Sequence, residues 1–136
     1  MEHTLKSEDF ILKILPKIFE SDITYSSNTI MEVTVQSKGF LANTSMDIDI
    51  KQFAKFSVDL CKIYETLSGE AKIEEPYGMH MYLSFVGNGR GHIAIKGCLY
   101  KGDSAGSQSL EFDNDIEQTY LKEFCYNLKN SYRKYL

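Results

Sequence analysis

Several residue types are scarce in this sequence, and each shortage excludes a class of protein. Tryptophan is absent and only two prolines occur, so there is no proline-rich linker. The three cysteines are widely spaced and form no C-x-x-C motif, which argues against a disulfide framework and a structural zinc site. No apolar run approaches the roughly 20 residues of a membrane-spanning helix, and the first residues lack the layout of a signal peptide. We therefore expect a soluble, cytoplasmic protein without membrane contact.

Basic residues are also in the minority. The chain has 15 lysines and arginines against 19 acidic residues, a formal net charge of −4 and a pI near 5.4. This balance argues against a general nucleic-acid-binding protein. It is compatible with an ordinary solvated surface or with an acidic patch that meets a basic partner. With 136 residues, 43% of them hydrophobic, the chain can bury a core, and we predict a single domain over residues 1–136.

The strongest folding signal lies between residues 79 and 100. Apolar side chains occupy odd positions on both sides of the glycine-rich segment 87–91, which predicts a β-hairpin with one buried face. Keeping both apolar sets on that face requires that the numbers of paired residues sum to an even value. A loop centred on Gly89 satisfies this condition. The resulting pairs are Phe85 with Ile93, Leu83 with Ile95, Met79 with Leu99 and His80 with Cys98.

The rest of the chain predicts further strands and two helices. Period-two alternation marks strands near residues 31–36, 40–50 and 110–113. A short apolar run predicts a first strand near 8–14, which Pro16 is expected to keep from being a central strand, and the short segment 71–74 is interpreted as a further strand. Helical spacing of apolar residues runs through 52–67 and through 116–132. We predict an α+β fold, a mostly antiparallel sheet of six to seven strands with two amphipathic helices on one face. Residues 1–7 are expected to be frayed, and residues 101–109 to form a flexible loop.

Capping residues support both helices. Asp49 is placed to cap the first helix, with Gln52 as its partner in a capping box. Gly69 is placed to end that helix in the left-handed conformation. Asp115 and Gln118 repeat the same device at the second helix.

Three groups of residues could carry chemistry. The glycine-rich segment around Arg90 resembles a phosphate-binding loop, but a strand follows it where such a loop needs a helix, which favours a plain turn. His80 opposite Cys98 could form a nucleophile and base or half of a metal site, but no third partner is apparent. Pairs of carboxylates could bind a metal or transfer protons, but no calcium loop surrounds them. We therefore predict no catalytic, cofactor-binding or metal-binding residue.

The acidic residues have a second interpretation. Asp47 and Asp49 alternate on one strand, and a second acidic group spans residues 111–117. A solvated surface is the favoured interpretation, with protein contact as the functional alternative, because charges set the rate and orientation of encounter while buried aromatic side chains supply affinity. Tyr77 is one candidate anchor, although tyrosine is also common in sheets. The predicted contact residues are Asp47, Asp49, Tyr82, Tyr100, Glu111, Asp113 and Glu117.

Three segments taken together resemble a known family. They are the end of the first helix at 67–71 (LSGEA), the strand at 91–95 (GHIAI) and the D-x-x-Q-T-x-L run at 115–121. Their order is similar to that in the WapI family of bacterial immunity proteins, over roughly residues 8–130 of this chain. One departure is segment 47–50, which lacks the tryptophan often found there in the family.

This resemblance implies an antitoxin role. Members of the family bind a cognate toxin domain, often a nuclease or another cytotoxic enzyme, and have no catalytic motif to transfer. We therefore predict a non-catalytic immunity protein that covers the active site or the substrate path of its toxin, a basic nuclease domain being one candidate. Two alternatives stay open. One is a small-ligand-binding or regulatory domain with a pocket between sheet and helices, and the other is an enzyme that uses Cys98 and His80.

Overall fold

The structure, a computed structural model, describes residues 1–78 and 80–136, which form two four-stranded antiparallel sheets and two α-helices. The first sheet contains β1 (His3–Lys6), β2 (Phe10–Ile18), β3 (Thr29–Ser37) and β4 (Phe40–Ile48) in that order. Helix α1 (Ile50–Thr66) leads to the second sheet, which contains β5 (Ser68–Glu74), β6 (Tyr82–Asn88), β7 (His92–Asp103) and β8 (Gly106–Glu117). A 3-10 turn (Gln118–Leu121), helix α2 (Lys122–Tyr132) and a final 3-10 turn (Arg133–Tyr135) follow.

The predicted α+β class is confirmed, but the arrangement of its elements is corrected. The described residues form eight strands, not six to seven, and the strands divide into two sheets. The two helices therefore do not cover one face of one sheet. The division has a simple cause: α1 interrupts the order of strands, so each half of the chain pairs only with itself.

Alternating apolar residues give each sheet one buried face, and these two inner faces belong to the same hydrophobic core. The first sheet contributes Leu12, Ile14, Met31, Val33 and Val35, and the second contributes Leu83, Phe85, Ile93, Ile95 and Leu99. Helix α1 adds Phe53, Phe56 and Leu60, and α2 adds Phe124 and Leu128. Burial of each such side chain stabilises the fold by roughly 1.5–3 kcal/mol. The core thus lies between two sheets and two helices that pack against each other.

Helix α1 begins as predicted but ends differently. The carboxylate of Asp49 accepts a hydrogen bond from the Lys51 N–H at 2.9 Å, so Asp49 is the N-cap. The left-handed residue at the other end is Leu67 (φ 65°), two positions before Gly69. The carbonyl of Leu67 comes within 2.5 Å of the place where a Cβ on Gly87 would stand. This close approach of the helix end to β6 requires glycine at position 87.

The hairpin of β6 and β7 has the predicted parity but a different register. Phe85 pairs with Ile95 and Leu83 pairs with Gly97, so the turn is centred on Arg90 instead of Gly89. The predicted pairs of Phe85 with Ile93 and Leu83 with Ile95 are therefore wrong. A Cβ on Gly97 would lie 2.4 Å from the ring of Phe112 on β8, so the space beside this glycine is filled from the neighbouring strand. Met79, with its predicted pairing to Leu99, lies outside the described residues.

Two segments expected to be irregular are strands, and the strand that contains Pro16 is central. Residues 3–6, predicted to be frayed, form β1, in which Leu5 is buried. Pro16 lies within β2, which is a central strand, but beyond the four residues that pair with β1, so one edge of β2 is uncovered there. The predicted flexible loop 101–109 is a hairpin in which β7 and β8 pair as far as Asp103 and Gly106. All nine of its residues are exposed, so no apolar alternation marks it.

None of the helices in the described residues is both long enough and apolar enough to cross a membrane.

Candidate functional site

Five of the seven predicted contact residues lie together on the outer face of the second sheet. We call this surface the acidic face and define it by its carboxylates: Glu70, Glu74, Glu111, Asp113, Asp115 and Glu117. Four of them stand on β8, where from residue 111 to residue 117 the odd-numbered residues are exposed and the even-numbered residues are buried. The strand register places Tyr82 next to Cys98, and Cys98 next to Glu111, across three neighbouring strands. Tyr82 and Tyr100 thus share this face with the carboxylates.

The acidic face carries a net negative charge. Its carboxylates on β8 follow one another at every second residue, which spaces them about 6.7 Å apart along the strand. Lys96 Nζ lies 3.9 Å from Asp113, and His92 Nδ1 lies 2.6 Å from Asp115. Among the described residues, no ion pair involves Glu111 or Glu117. Since exposed ion pairs of this kind contribute little free energy, the face remains available to a basic partner.

The two tyrosines on this face are half-buried and held in place. Lys72 Nζ lies 5.0 Å from the centre of the Tyr82 ring, a cation–π contact. The ring of Tyr100 lies over Gly102, so close that a Cβ there would be 2.5 Å from the Tyr100 hydroxyl. Tyr82 pairs with Glu74 and so lies beside a carboxylate, whereas Tyr100 pairs with Ser109 at the end of the acidic face. Tyr77, a third tyrosine considered as an anchor, lies elsewhere and contacts Ser26 through its hydroxyl.

Asp115 belongs to the acidic face, although its predicted role as a helix cap excluded it. The structure corrects that role: β8 continues to Glu117, a 3-10 turn follows, and α2 begins only at Lys122. Asp115 pairs with Ala94 and its carboxylate contacts His92. The sequence contained a signal for this placement, because acidic residues occupy every odd position from Glu111 to Glu117, and the even positions between them are apolar except for Asn114.

Asp47 and Asp49 lie apart from the acidic face. Asp49 is 8% exposed, and it accepts hydrogen bonds from Asn28 Nδ2 (3.0 Å) and the Lys51 N–H. Burial raises the pKa of its carboxyl, but the hydrogen bonds from Lys51 and Asn28 outweigh burial and leave the pKa below its ordinary value. Asp49 is thus committed to the cap and is not a contact residue. Asp47 is exposed on the first sheet, at its edge strand β4.

The proposed couple of His80 and Cys98 is not formed. With the register centred on Arg90, the residue opposite Cys98 is Tyr82. His80 lies outside the strands, is exposed and has a φ of 58°. Burial, followed by the nearby Glu111 carboxylate, raises the pKa of the Cys98 thiol, which disfavours the nucleophilic thiolate. In residues 1–78 and 80–136, no cluster of three or more histidine, cysteine or acidic side chains is arranged to hold a metal ion.

A groove between sheet and helix does exist, at the position required by the ligand-binding alternative. It lies between β1 and α2, has a volume of about 340 Å³ and is lined mostly by polar residues, among them Thr4, Asn127 and Asn130. A second groove, of about 290 Å³, separates β4 from the end of the β7–β8 hairpin and has a more apolar lining. Both are open to solvent, so neither encloses a small molecule as ligand pockets usually do.

Comparison with known proteins identifies one family. A protein-family model described as "Immunity protein WapI-like family" matches residues 4–136. No curated protein matches the chain. Among solved structures, the chain is similar to WHY3 from Arabidopsis thaliana (6% identity, TM-score 0.49, covering 96% of this chain and 85% of that one). It is also similar to the plant transcriptional regulator PBF-2 (7% identity, TM-score 0.48, covering 100% and 81%). At TM-scores this low, neither likeness carries an argument.

Proposed function

Since this chain belongs to the WapI-like family of immunity proteins, we propose that it binds and neutralises a cognate toxin domain through its acidic face. The protein acts without catalysis of its own, in the cytoplasm of the cell it protects. The observation that carries this proposal is the row of four carboxylates on β8, which stands beside two half-buried tyrosines.

The charge of this face favours a toxin with a basic surface. Enzymes that cleave nucleic acids need a basic surface to hold phosphates, and such a surface is attracted to a row of carboxylates. Electrostatic attraction of this kind raises the rate of association and orients the two proteins before contact. A basic nuclease domain is therefore the toxin that this face fits best.

Tyr82 and Tyr100 supply the binding free energy that the exposed charges do not. Binding free energy usually comes from a few aromatic side chains near the centre of an interface, surrounded by polar contacts that exclude water. Tyr82 and Tyr100 lie on the central strands β6 and β7, with carboxylates on β5 and β8 to either side. Across the strands, Tyr82 thus lies between Glu74 on β5 and Glu111 on β8, an aromatic residue with charges on either side, as is common in protein-binding surfaces.

Neutralisation then follows from occlusion. All the contact side chains stand on strands whose positions are fixed by the sheet, so binding costs little conformational entropy. A rigid acidic surface that covers the substrate path of a nuclease excludes phosphates from the same basic residues. Inhibition therefore requires no chemical step.

A charge-reversal experiment tests this proposal. The variant Glu111→Lys/Asp113→Lys/Glu117→Lys should bind the toxin domain encoded immediately upstream about 100-fold more weakly than the native protein, because three attractive contacts become repulsive. Affinity is measured by biolayer interferometry and protection by the activity of the toxin. The native affinity should also fall as salt rises from 50 to about 300 mM, since added salt screens these charges.

A second triple variant controls for net charge. Glu2→Lys/Glu32→Lys/Glu123→Lys makes the same change in charge at exposed positions outside the acidic face, and it should change the affinity less than threefold, about the effect of exposed charges. Equal losses in both variants would assign the effect to net charge and rule out the acidic face as the contact surface. Absence of binding by the native protein at micromolar concentration would reject the antitoxin role for this toxin.

A further inference from the structure

The edge strand β4 differs from the other edge strands in having no charge over most of its length. Edge strands expose unpaired backbone groups, and proteins usually protect them with charged side chains. Here β1 carries Lys6, β5 carries acidic and basic residues in alternation, and β8 carries the acidic face. Residues 40–46 of β4 (FLANTSM) carry no charge. Two of them, Phe40 and Leu41, are 65% and 70% exposed.

The backbone of β4 is free to pair at two positions in this segment. In an antiparallel ladder, successive residues direct their N–H and C=O groups alternately to the two neighbouring strands. The N–H of Asp47 points away from β3, because it donates to Glu75 Oε2 at 3.0 Å. The two-residue turn between β3 and β4 leads to the same conclusion. In such turns the closing pair, here Ser37 and Phe40, is hydrogen-bonded, so the even-numbered residues of β4 direct their backbone groups to β3. Leu41 and Asn43 therefore direct their backbone groups to the open edge.

The open edge borders the apolar groove of about 290 Å³. Its floor is the end of the β7–β8 hairpin, which extends from Leu99 to Asp103 beyond the last residue that pairs with β6. At its inner end, Thr44 Oγ1 donates to the Tyr100 carbonyl at 2.8 Å and joins β4 to β7. The lining includes Phe40, Ala42, Leu99, Tyr100 and Leu110, with Lys101 as its charged member.

We propose that this groove binds an extended segment of a partner protein, which adds to the first sheet beside β4. Backbone bonds to Leu41 and Asn43 hold the segment, and its alternate side chains enter the apolar groove, the mode of recognition known as β-augmentation. Lys101 fits a carboxylate on the same segment. The groove shares Tyr100 with the acidic face, but β4 and Lys101 lie outside that face. Because they take a partner of the opposite charge, this proposal does not depend on the proposed function.

A second copy of this chain fits the groove less well. Its own uncharged segment, residues 40–46, offers no carboxylate to Lys101. The bonds from Asp47 to Glu75 and from Thr44 to Tyr100 also occupy the inner half of β4. Only the first residues of the strand remain open, too few for two copies of β4 to pair along their length.

Selection from a random decapeptide library displayed on phage tests this proposal. The native protein should enrich peptides that alternate apolar residues and include an acidic one. Asn43→Pro removes a backbone N–H donor at the open edge without removing one from the β3–β4 ladder. The variant should therefore bind a synthetic copy of a selected peptide about fivefold more weakly than the native protein does, which is the net contribution of one hydrogen bond. Lys101→Glu should shift the enriched peptides from acidic to basic, whereas Lys96→Glu, on the acidic face, should leave the selection unchanged.

Three results would overturn the proposal. The first is the absence of any enriched family of peptides. The second is a selected peptide that binds the native protein, Asn43→Pro and Lys101→Glu with equal affinity. Because Lys101 is exposed, Lys101→Glu provides this comparison even if Asn43→Pro disturbs folding. The third is a dimer of the native protein that Asn43→Pro converts to a monomer, measured by light scattering, which would assign the groove to a second copy.

Discussion

The two sheets have similar inner faces and dissimilar outer faces. Both inner faces carry alternating aliphatic and aromatic residues that are almost fully buried. The outer face of the first sheet mixes aliphatic residues with a few charges of both signs. These are Ile11, Leu15, Ile30 and Leu41, with Lys6, Lys13, Lys17, Glu32 and Asp47. The outer face of the second sheet carries six carboxylates and two lysines, Lys72 and Lys96.

This difference separates what folding requires from what it leaves free. Folding constrains the inner faces, because a polar residue there would be buried without a partner. Folding does not determine whether the charged residues on the outer faces are acidic or basic. In the second sheet, adjacent carboxylates on β8 even repel one another, which opposes folding slightly. A charge pattern that folding does not need is best explained by recognition, and this is why the acidic face, and not the first sheet, carries the proposed function.

Truncating inner and outer side chains in both sheets should give the largest effects and the clearest test of this separation. We expect Phe85→Ala to destabilise the protein by about 3–5 kcal/mol and Met31→Ala by about 2–5 kcal/mol, because each leaves a cavity in the core. Phe85 contacts Phe56 and Phe124, with ring centres 5.7 and 6.5 Å apart. Urea denaturation measures both changes in the free energy of unfolding.

The outer faces provide matched controls. Val86 and Ile30 are each 40% exposed, one on each sheet, and their replacement by alanine should cost under about 1 kcal/mol, because the surface they bury is small. If Val86→Ala proved as costly as Phe85→Ala, the outer face of the second sheet would be structural, and the argument from its charges would fail.

The same periodicity that distinguishes the faces is what the sequence made predictable. Alternation located the strands that run from Met31 to Val35 and from Leu83 to Phe85, and helical spacing located α1 with its cap at Asp49. The resemblance to the WapI family also came from local runs of residues, and the family is confirmed. Local signals were thus sufficient for most elements and for the outward orientation of six of the seven predicted contact residues, Asp49 being the exception.

What the sequence did not predict depends on contacts between distant residues. Alternation determines only the parity of the hairpin register, and turns centred on Gly89 and on Arg90 both satisfy it. The division into two sheets likewise depends on which strands meet in space. The hairpin over 101–109 was missed because both of its faces are exposed, and Asp115 was missed because its spacing to Gln118 imitates a capping box.

A smaller loss of stability is expected for substitutions where the two inner faces meet. Ser37 on β3 and Asn114 on β8 are buried and hydrogen-bonded to each other, at 3.1 Å and 2.8 Å. Asn114→Ala should cost about 1–3 kcal/mol, because it leaves the Ser37 hydroxyl buried without a partner. The double variant with Ser37→Ala should cost less than the sum of the single variants. Additive costs in a double-mutant cycle measured by urea denaturation would show that this contact does not couple the sheets.

The smallest effect is expected at the outer edge of the first sheet and depends on pH. His3 on β1 is 5% exposed, and its Nε2 lies 3.1 Å from the hydroxyl of Tyr132. Tyr132 is the last residue of α2, and its ring packs edge-on against Phe53. Burial, followed by the positive charge of the N-terminus, lowers the pKa of His3 in the folded protein. The unfolded chain therefore binds a proton more readily than the folded one.

This sign determines the direction of the pH dependence. The stability that neutral His3 contributes is complete above the unfolded pKa near 6.5 and is lost as pH falls from that value through the lower folded pKa. In urea denaturation from pH 7.5 to 5, His3→Gln should therefore lose less stability than the native protein, whereas His92→Gln, which alters an exposed residue of the acidic face, should leave the contribution of His3 in place. Suppose instead that the free energies of unfolding of the native protein and of His3→Gln changed in parallel with pH. This result would show that β1 does not hold His3 neutral, and that this edge of the first sheet is as open to solvent as the acidic face of the second.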